Sequence, residues 1–154
     1  MQIQWKKLLL SLLIPILVGL LSSFFIRDSI TSYMNMQKPP LAPPSFLFPI
    51  VWSILYILMG ISCYLILTTS SPLRPKALLL YGIQLFLNFL WSPVFFNLQS
   101  PFFALIILVL LWSTLFQMLR VFLKISPIAA WLQVPYLIWC TFAAYLNLGI
   151  LLLN

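Results

Sequence analysis

Five apolar runs, each about 20 residues long, make up nearly the whole chain, and the breaks between them carry most of the charges and half of the prolines. A helix crosses about 30 Å of hydrocarbon with roughly 20 apolar residues, since each residue rises about 1.5 Å. The runs predict helices over about 8–26, 46–67, 76–96, 101–123 and 127–152. Of the 154 residues, 64% are hydrophobic and 6% charged, more apolar surface than a water-soluble domain of this size can bury. The expected fold is an all-α membrane protein, a five-transmembrane-helix bundle forming one domain over residues 1–154. The first run follows Lys6 and Lys7 much as a signal peptide would. Its length and the poor cleavage sequence Leu21-Ser22-Ser23-Phe24 make it an expected retained helix.

Four prolines, Pro39, Pro40, Pro43 and Pro44, stand within six residues. Each lacks an N–H and biases the residue before it away from the helical region, so this stretch cannot continue a spanning helix. Residues 27–45 are therefore expected to form an ordered, extended lid over the following helix. Pro49 falls in the first turn of that helix, where a missing N–H does little harm. Alternating helix ends sort the basic residues into Lys6, Lys7, Arg74, Lys76, Arg120 and Lys124 on one side and Arg27 and Lys38 on the other. This bias of six against two puts the N-terminus in the cytoplasm and the C-terminus outside, with the lid on the outer side. An odd helix count excludes a complete two-fold inverted repeat of the kind many transporters use.

The charge of +7 does not describe a nucleic-acid surface, because the basic residues are scattered between apolar runs. The chain has no His and one acid, Asp28, which lies outside the runs. That removes a carboxylate or imidazole relay, a catalytic triad and axial haem ligation by His. No metal-ligand cluster is present in the sequence, and neither a metal nor a bound cofactor is expected. Cys63 and Cys140 fall inside predicted helices and read as packing thiols rather than a disulfide.

What the runs do carry is stripes. Trp52, Tyr56, Met59 and Cys63 are spaced four, three and four apart, and Tyr81, Gln84, Asn88, Trp91 and Phe95 three, four, three and four. Pro135, Trp139, Ala143 and Asn147 repeat every four residues, and Ser113 and Gln117 are four apart. Such polar groups commonly join neighbouring helices, at about 0.6–2 kcal/mol each, and spacing alone leaves packing and ligand contact both open. Two tryptophans tilt the balance. Trp139 lies eight residues beyond Trp131, deeper than an interfacial belt residue. Trp52 lies about two turns below the proline lid. If the second and fifth helices are neighbours, both indoles face one chamber suited to a flat apolar ligand.

Three segments in this order, KPPLAPPSFLFPIVWSILYILMG (Lys38–Gly60), QLFLNFLWSPVFF (Gln84–Phe96) and SPIAAWLQVPYLIWCTFAAYLN (Ser126–Asn147), resemble the TspO/MBR or translocator protein family, in its bacterial-type members. The resemblance spans nearly the whole chain. It implies a five-helix bundle in the lipid bilayer, the cell membrane in a bacterial host, often as a homodimer, with a pocket closed by the first loop. It implies porphyrin ligands such as protoporphyrin IX and, in many members, sterols and isoquinoline carboxamides. By motif, Tyr33 and Pro43 would cap the pocket, and Trp52, Asn88, Trp91, Trp139 and Ala143 would line it. In bacterial relatives the tryptophans matching Trp52 and Trp139 are tied to light-dependent oxidative breakdown of porphyrin. The chain departs from the family where Leu41 replaces the usual lid Trp and Ile107 replaces an acid. At the sterol motif Leu148 follows Asn147 and no basic residue comes after, which argues against high-affinity cholesterol binding. The expected function is a membrane receptor for porphyrins and similar flat hydrophobes. Light-dependent degradation and facilitated tetrapyrrole or sterol transport are the alternatives, so the question of enzyme activity stays open.

Overall fold

The computed structural model describes residues 2–154. Its helices are α1 (Trp5–Ile26), α2 (Ile30–Asn35), α3 (Leu47–Thr68), α4 (Arg74–Ser92), α5 (Pro101–Ile125) and α6 (Pro127–Leu153), with a π-helical turn, Pro93–Asn97, extending α4. Five of them, α1, α3, α4 with its extension, α5 and α6, are long and apolar enough to cross a membrane. Proline and serine set the joints. Pro101 and Pro127 open α5 and α6, and the Ser100 and Ser126 hydroxyls before them accept from the N–H groups of Phe103 and Ala129. Pro93 has no N–H to continue the ladder of α4, and the chain widens there into a turn closed by Leu98 N–H on Pro93 O at 2.9 Å. That turn carries Phe95 and Phe96 into the core.

Around the bundle the spanning helices follow the order α1, α3, α6, α5, α4, and α4 closes the ring on α1. The outward faces are apolar, with Leu9, Leu13, Phe86, Phe103 and Ile138 among the exposed side chains, as lipid contact requires. The interior is where the polar groups are: Ser62, Gln84, Asn88, Gln133 and Asn147 are all buried. Ser113 and Gln117 of α5 do not join them, and both lie exposed on the outer face of the bundle. The approach of α1 to α3 depends on small residues. A Cβ on Gly60 would lie 2.8 Å from the backbone of both Ser11 and Leu12, and one on Gly19 would lie 2.5 Å from the Tyr56 ring.

The lid is not wholly extended. Residues 30–35 contain no proline and form the short helix α2, while the chain turns extended at Met36, just before the proline cluster. The extended part is fastened to the end of α6. Gln37 N–H donates to Asn154 Oδ1 at 3.2 Å, Asn154 Nδ2 donates back to Gln37 O at 2.8 Å, and the Tyr145 hydroxyl donates to Pro40 O at 2.6 Å. Pro39 packs on Gly149 so closely that a Cβ there would lie 2.4 Å from the proline ring. Leu41 takes the left-handed conformation, φ 70°, which the third position of the turn from Pro39 to Ala42 requires.

Candidate functional site

Beneath the lid a cavity of about 300 Å³ opens between α1, α3 and the end of α4. This is the lower end of the range for small-molecule sites. Its floor and walls follow from the stripes. Trp52 and Tyr56 come from α3, one turn apart, with ring centroids 5.5 Å from each other. Trp91 and Ser92 come from α4, and Phe96 from the π turn. Phe48 and Pro49, with Ile30, Ser45 and Phe46, close the side toward the lid, and Gly19, Ser22, Ser23 and Ile26 of α1, with Arg27 just beyond its end, form the remaining wall. A second hollow of about 250 Å³ lies along α1 and α3 and shares Gly19, Ser23, Pro49, Trp52 and Tyr56 with the first. Its other borders include exposed Leu20, Ser53 and Ile57, so Trp52 stands between the inner cavity and the outer face of the bundle.

Behind the cavity wall runs a buried polar ladder. The Tyr56 hydroxyl donates to Asn88 Oδ1 at 2.9 Å, Asn88 Nδ2 donates to the Tyr136 hydroxyl at 2.6 Å, and that hydroxyl donates to Gln84 Oε1 at 2.8 Å. Nearer the lid, Trp91 Nε1 donates to Asn147 Oδ1 at 3.0 Å. In a medium without water these bonds fix side chains that would otherwise be costly to bury, and they hold α3, α4 and α6 in register.

The residues expected at the site fall into two layers. Trp52 and Trp91 line the cavity. Tyr33 and Pro43 hold its roof: the Tyr33 hydroxyl donates to Pro43 O at 3.0 Å, and its ring packs edge-on against Phe48 and Phe96, at 5.2 and 6.2 Å. Only 1% of Tyr33 is exposed, and burial pushes its phenol up to about 12. Asn88 lies one hydrogen bond behind Tyr56. Trp139 lies one ring behind Phe48, with centroids 6.1 Å apart. Ala143 is buried on α6, one turn beyond Trp139. Of the two indoles expected to share a chamber, Trp52 thus lines the cavity and Trp139 does not. Trp52 packs on Tyr56 and Tyr136, while Trp139 packs on Phe48 and Phe142.

Sequence reasoning passed over Phe48, Phe96, Ser22, Arg27 and Tyr136. Tyr136 was there to be found. Gln133, Tyr136, Cys140, Ala143 and Asn147 repeat three, four, three, four, the same pattern as on α4, and all five are buried. A strict repeat of four drifts about 40° per step around a helix, so the stripe begun at Pro135 starts on the exposed side. Ser22 and Arg27 gave no periodic signal. Chemically, the site offers aromatic faces, serine hydroxyls and a single guanidinium, and its lining residues include no His, carboxylate or Lys.

Residues 11–153 match the sequence model of the TspO/MBR family. The chain is 41% identical over 135 residues to the tryptophan-rich protein TspO of Chlorobaculum tepidum, covering 86% of this chain and 85% of that one. It is 37% identical over 124 residues to the protein CrtK of Rhodobacter capsulatus, covering 79% and 78%. With the translocator protein of Ovis aries it shares 35% identity over 139 residues, covering 88% and 82%.

Proposed function

Because the chain belongs to the TspO/MBR family, as an integral multi-pass membrane protein, we propose that it is a receptor for porphyrins, protoporphyrin IX foremost, and for similar flat hydrophobes, held in the cavity under the lid. The observation that carries this reading is the pair of indoles on the cavity walls, Trp52 on α3 and Trp91 on α4, in a space otherwise bounded mainly by aromatic and small side chains. Flat aromatic ligands gain dispersion and stacking energy from such walls, about 0.5–1.5 kcal/mol per ring pair beyond area burial. The lid would face the outer side, since the basic majority, Lys6, Lys7, Arg74, Lys76, Arg120 and Lys124, sits at the opposite helix ends.

Titration of the purified protein with protoporphyrin IX, followed by tryptophan fluorescence, tests the reading. Saturable quenching that weakens in Trp52→Ala is expected. Quenching that never saturates, or that Trp52→Ala leaves untouched, would refute it.

One observation favours a second reading, light-dependent oxidative breakdown of the bound porphyrin. Trp52 is an electron-rich side chain exposed to the cavity, where a photosensitising ligand would meet it in the presence of dioxygen. Illuminating the complex in air and comparing the loss of the porphyrin absorption with that of free porphyrin decides it. A rate equal to the free rate leaves a binding protein.

A further inference from the structure

We infer that the cavity selects ligands carrying an anionic group, which Arg27 receives at the mouth while the Ser22 hydroxyl takes a second polar atom deeper in. The inference rests on the porphyrin reading and narrows it: the ligand is a flat apolar acid, and a neutral flat hydrophobe of the same shape binds less well.

Arg27 is the one charged side chain on the cavity wall. It follows directly on α1, and its guanidinium carbon lies 4.3 Å over the ring of Phe24, an exposed side chain beside the cavity lining rather than in it. Its protein partner is Asp28, the chain's only acid, through a single contact of 3.7 Å from Nε, and both side chains are largely solvent-exposed. Such a pair binds weakly. Among the described residues no hydrogen bond uses the guanidinium, so its fork of N–H donors is free for a carboxylate.

Ser22 supplies an independent observation. It is 6% exposed, it lines the same cavity, and its hydroxyl has no hydrogen-bond partner. A serine inside a helix ordinarily bonds back to the carbonyl four residues earlier, and this one does not. A buried hydroxyl without a partner, on the wall of a cavity, is satisfied when a ligand atom reaches it. Five residues separate Ser22 from Arg27, about 7.5 Å along the helix axis, so the two contacts fit the edge and the interior of one planar molecule. A sterol-like ligand would leave the guanidinium unused.

Protein in phosphatidylcholine nanodiscs, titrated with protoporphyrin IX and with its dimethyl ester, tests this. The quantity read is the ratio of the two dissociation constants in each variant divided by the wild-type ratio in the same lipid, which cancels the different partitioning of acid and ester. Arg27→Gln should reduce the preference for the acid about tenfold while leaving ester affinity unchanged, and Arg27→Lys should restore part of it. Ser22→Ala should weaken both ligands about equally. An unchanged ratio in Arg27→Gln, with binding intact, overturns this inference alone. Absence of saturable binding by either porphyrin overturns the parent reading as well. Replacing a third of the lipid with anionic phosphatidylglycerol should leave the effect of Arg27→Gln on that ratio standing. Its disappearance would show that Arg27 serves lipid headgroups and would overturn the inference.

Discussion

The indole N–H of Trp91 donates to Asn147 Oδ1 at 3.0 Å, and the amide of Asn147 donates in turn to the carbonyl of Pro101 at 2.8 Å. One side chain of α6 therefore sets the orientation of a cavity-lining tryptophan on α4 and holds the start of α5. In Asn147→Leu both partners lose their bond inside a buried region. The expected cost is about 1–3 kcal/mol, the penalty of leaving buried polar groups unpaired, together with weaker porphyrin binding as Trp91 loosens. Thermal unfolding in detergent and a ligand titration check the two parts. Full stability in the variant would mean that the Trp91 indole finds another acceptor.

Only one of the two deep tryptophans lines the cavity, and that separates their effects. Trp52→Ala removes a cavity wall and should raise the dissociation constant for protoporphyrin IX by about tenfold or more, as loss of a buried aromatic anchor does. Trp139→Ala reaches the cavity wall through Phe48, and a change within about threefold is expected. Phe48→Ala should resemble Trp52→Ala. The reverse order, with Trp139→Ala the more damaging, would put Trp139 against the ligand.

The membrane-spanning helices were legible in the sequence because hydrophobic length is a constraint that no neighbouring helix can relax. Each of the five expected spans begins and ends within about three residues of the observed helix, except where Pro93 converts the end of α4 into a π turn. The stripe of α4 was legible for the same reason: a three-four spacing through Tyr81, Gln84, Asn88, Trp91 and Phe95 can only be one face, and all five are buried. What lies in the cavity wall and what lies behind it was not legible. Asn88 and Trp91 share a face, yet one is bonded to Tyr56 and Tyr136 while the other meets open space, and that division depends on which helix stands opposite. Ser22 lies on α1 and Arg27 just beyond its end, where the polar residues gave no periodic signal, so only the closure of α4 on α1 marks them as part of the site.

The contact of α1 with α3 makes two glycines behave oppositely. Gly60→Ala would set a methyl group 2.7–2.8 Å from Leu12 and Ser11, including backbone atoms that cannot turn aside. The helices must separate, with an expected loss of about 1–3 kcal/mol. Gly82, on the outer face of α4, has nothing within 4 Å of a new Cβ. Gly82→Ala should be neutral or stabilise by about 0.5–1 kcal/mol, because alanine gives up less backbone freedom in a helix. Unfolding midpoints of the two variants, measured side by side, check the contrast; a Gly60→Ala protein as stable as Gly82→Ala would refute the close crossing.

Tyr33 gives the lid an alkaline limit. Its phenol donates to Pro43 O at 3.0 Å, and burial raises it from 10.0 to about 12. The unfolded chain ionises this group near 10, whereas the folded lid keeps it protonated until about 12. Between those values the unfolded state binds fewer protons, so the stability of the native lid falls as pH rises. Below pH 10 the contribution is complete and independent of pH. Tyr33→Phe should cost about 1 kcal/mol at neutral pH through the lost hydrogen bond. It should also flatten the decline above pH 10 relative to wild type. The other tyrosines are common to both proteins, so the difference between the two unfolding curves isolates Tyr33. Ligand dissociation rates measured over the same range should diverge likewise, with wild type accelerating above pH 10 and the variant much less. Parallel curves for the two proteins would show that the roof of the cavity does not depend on this phenol.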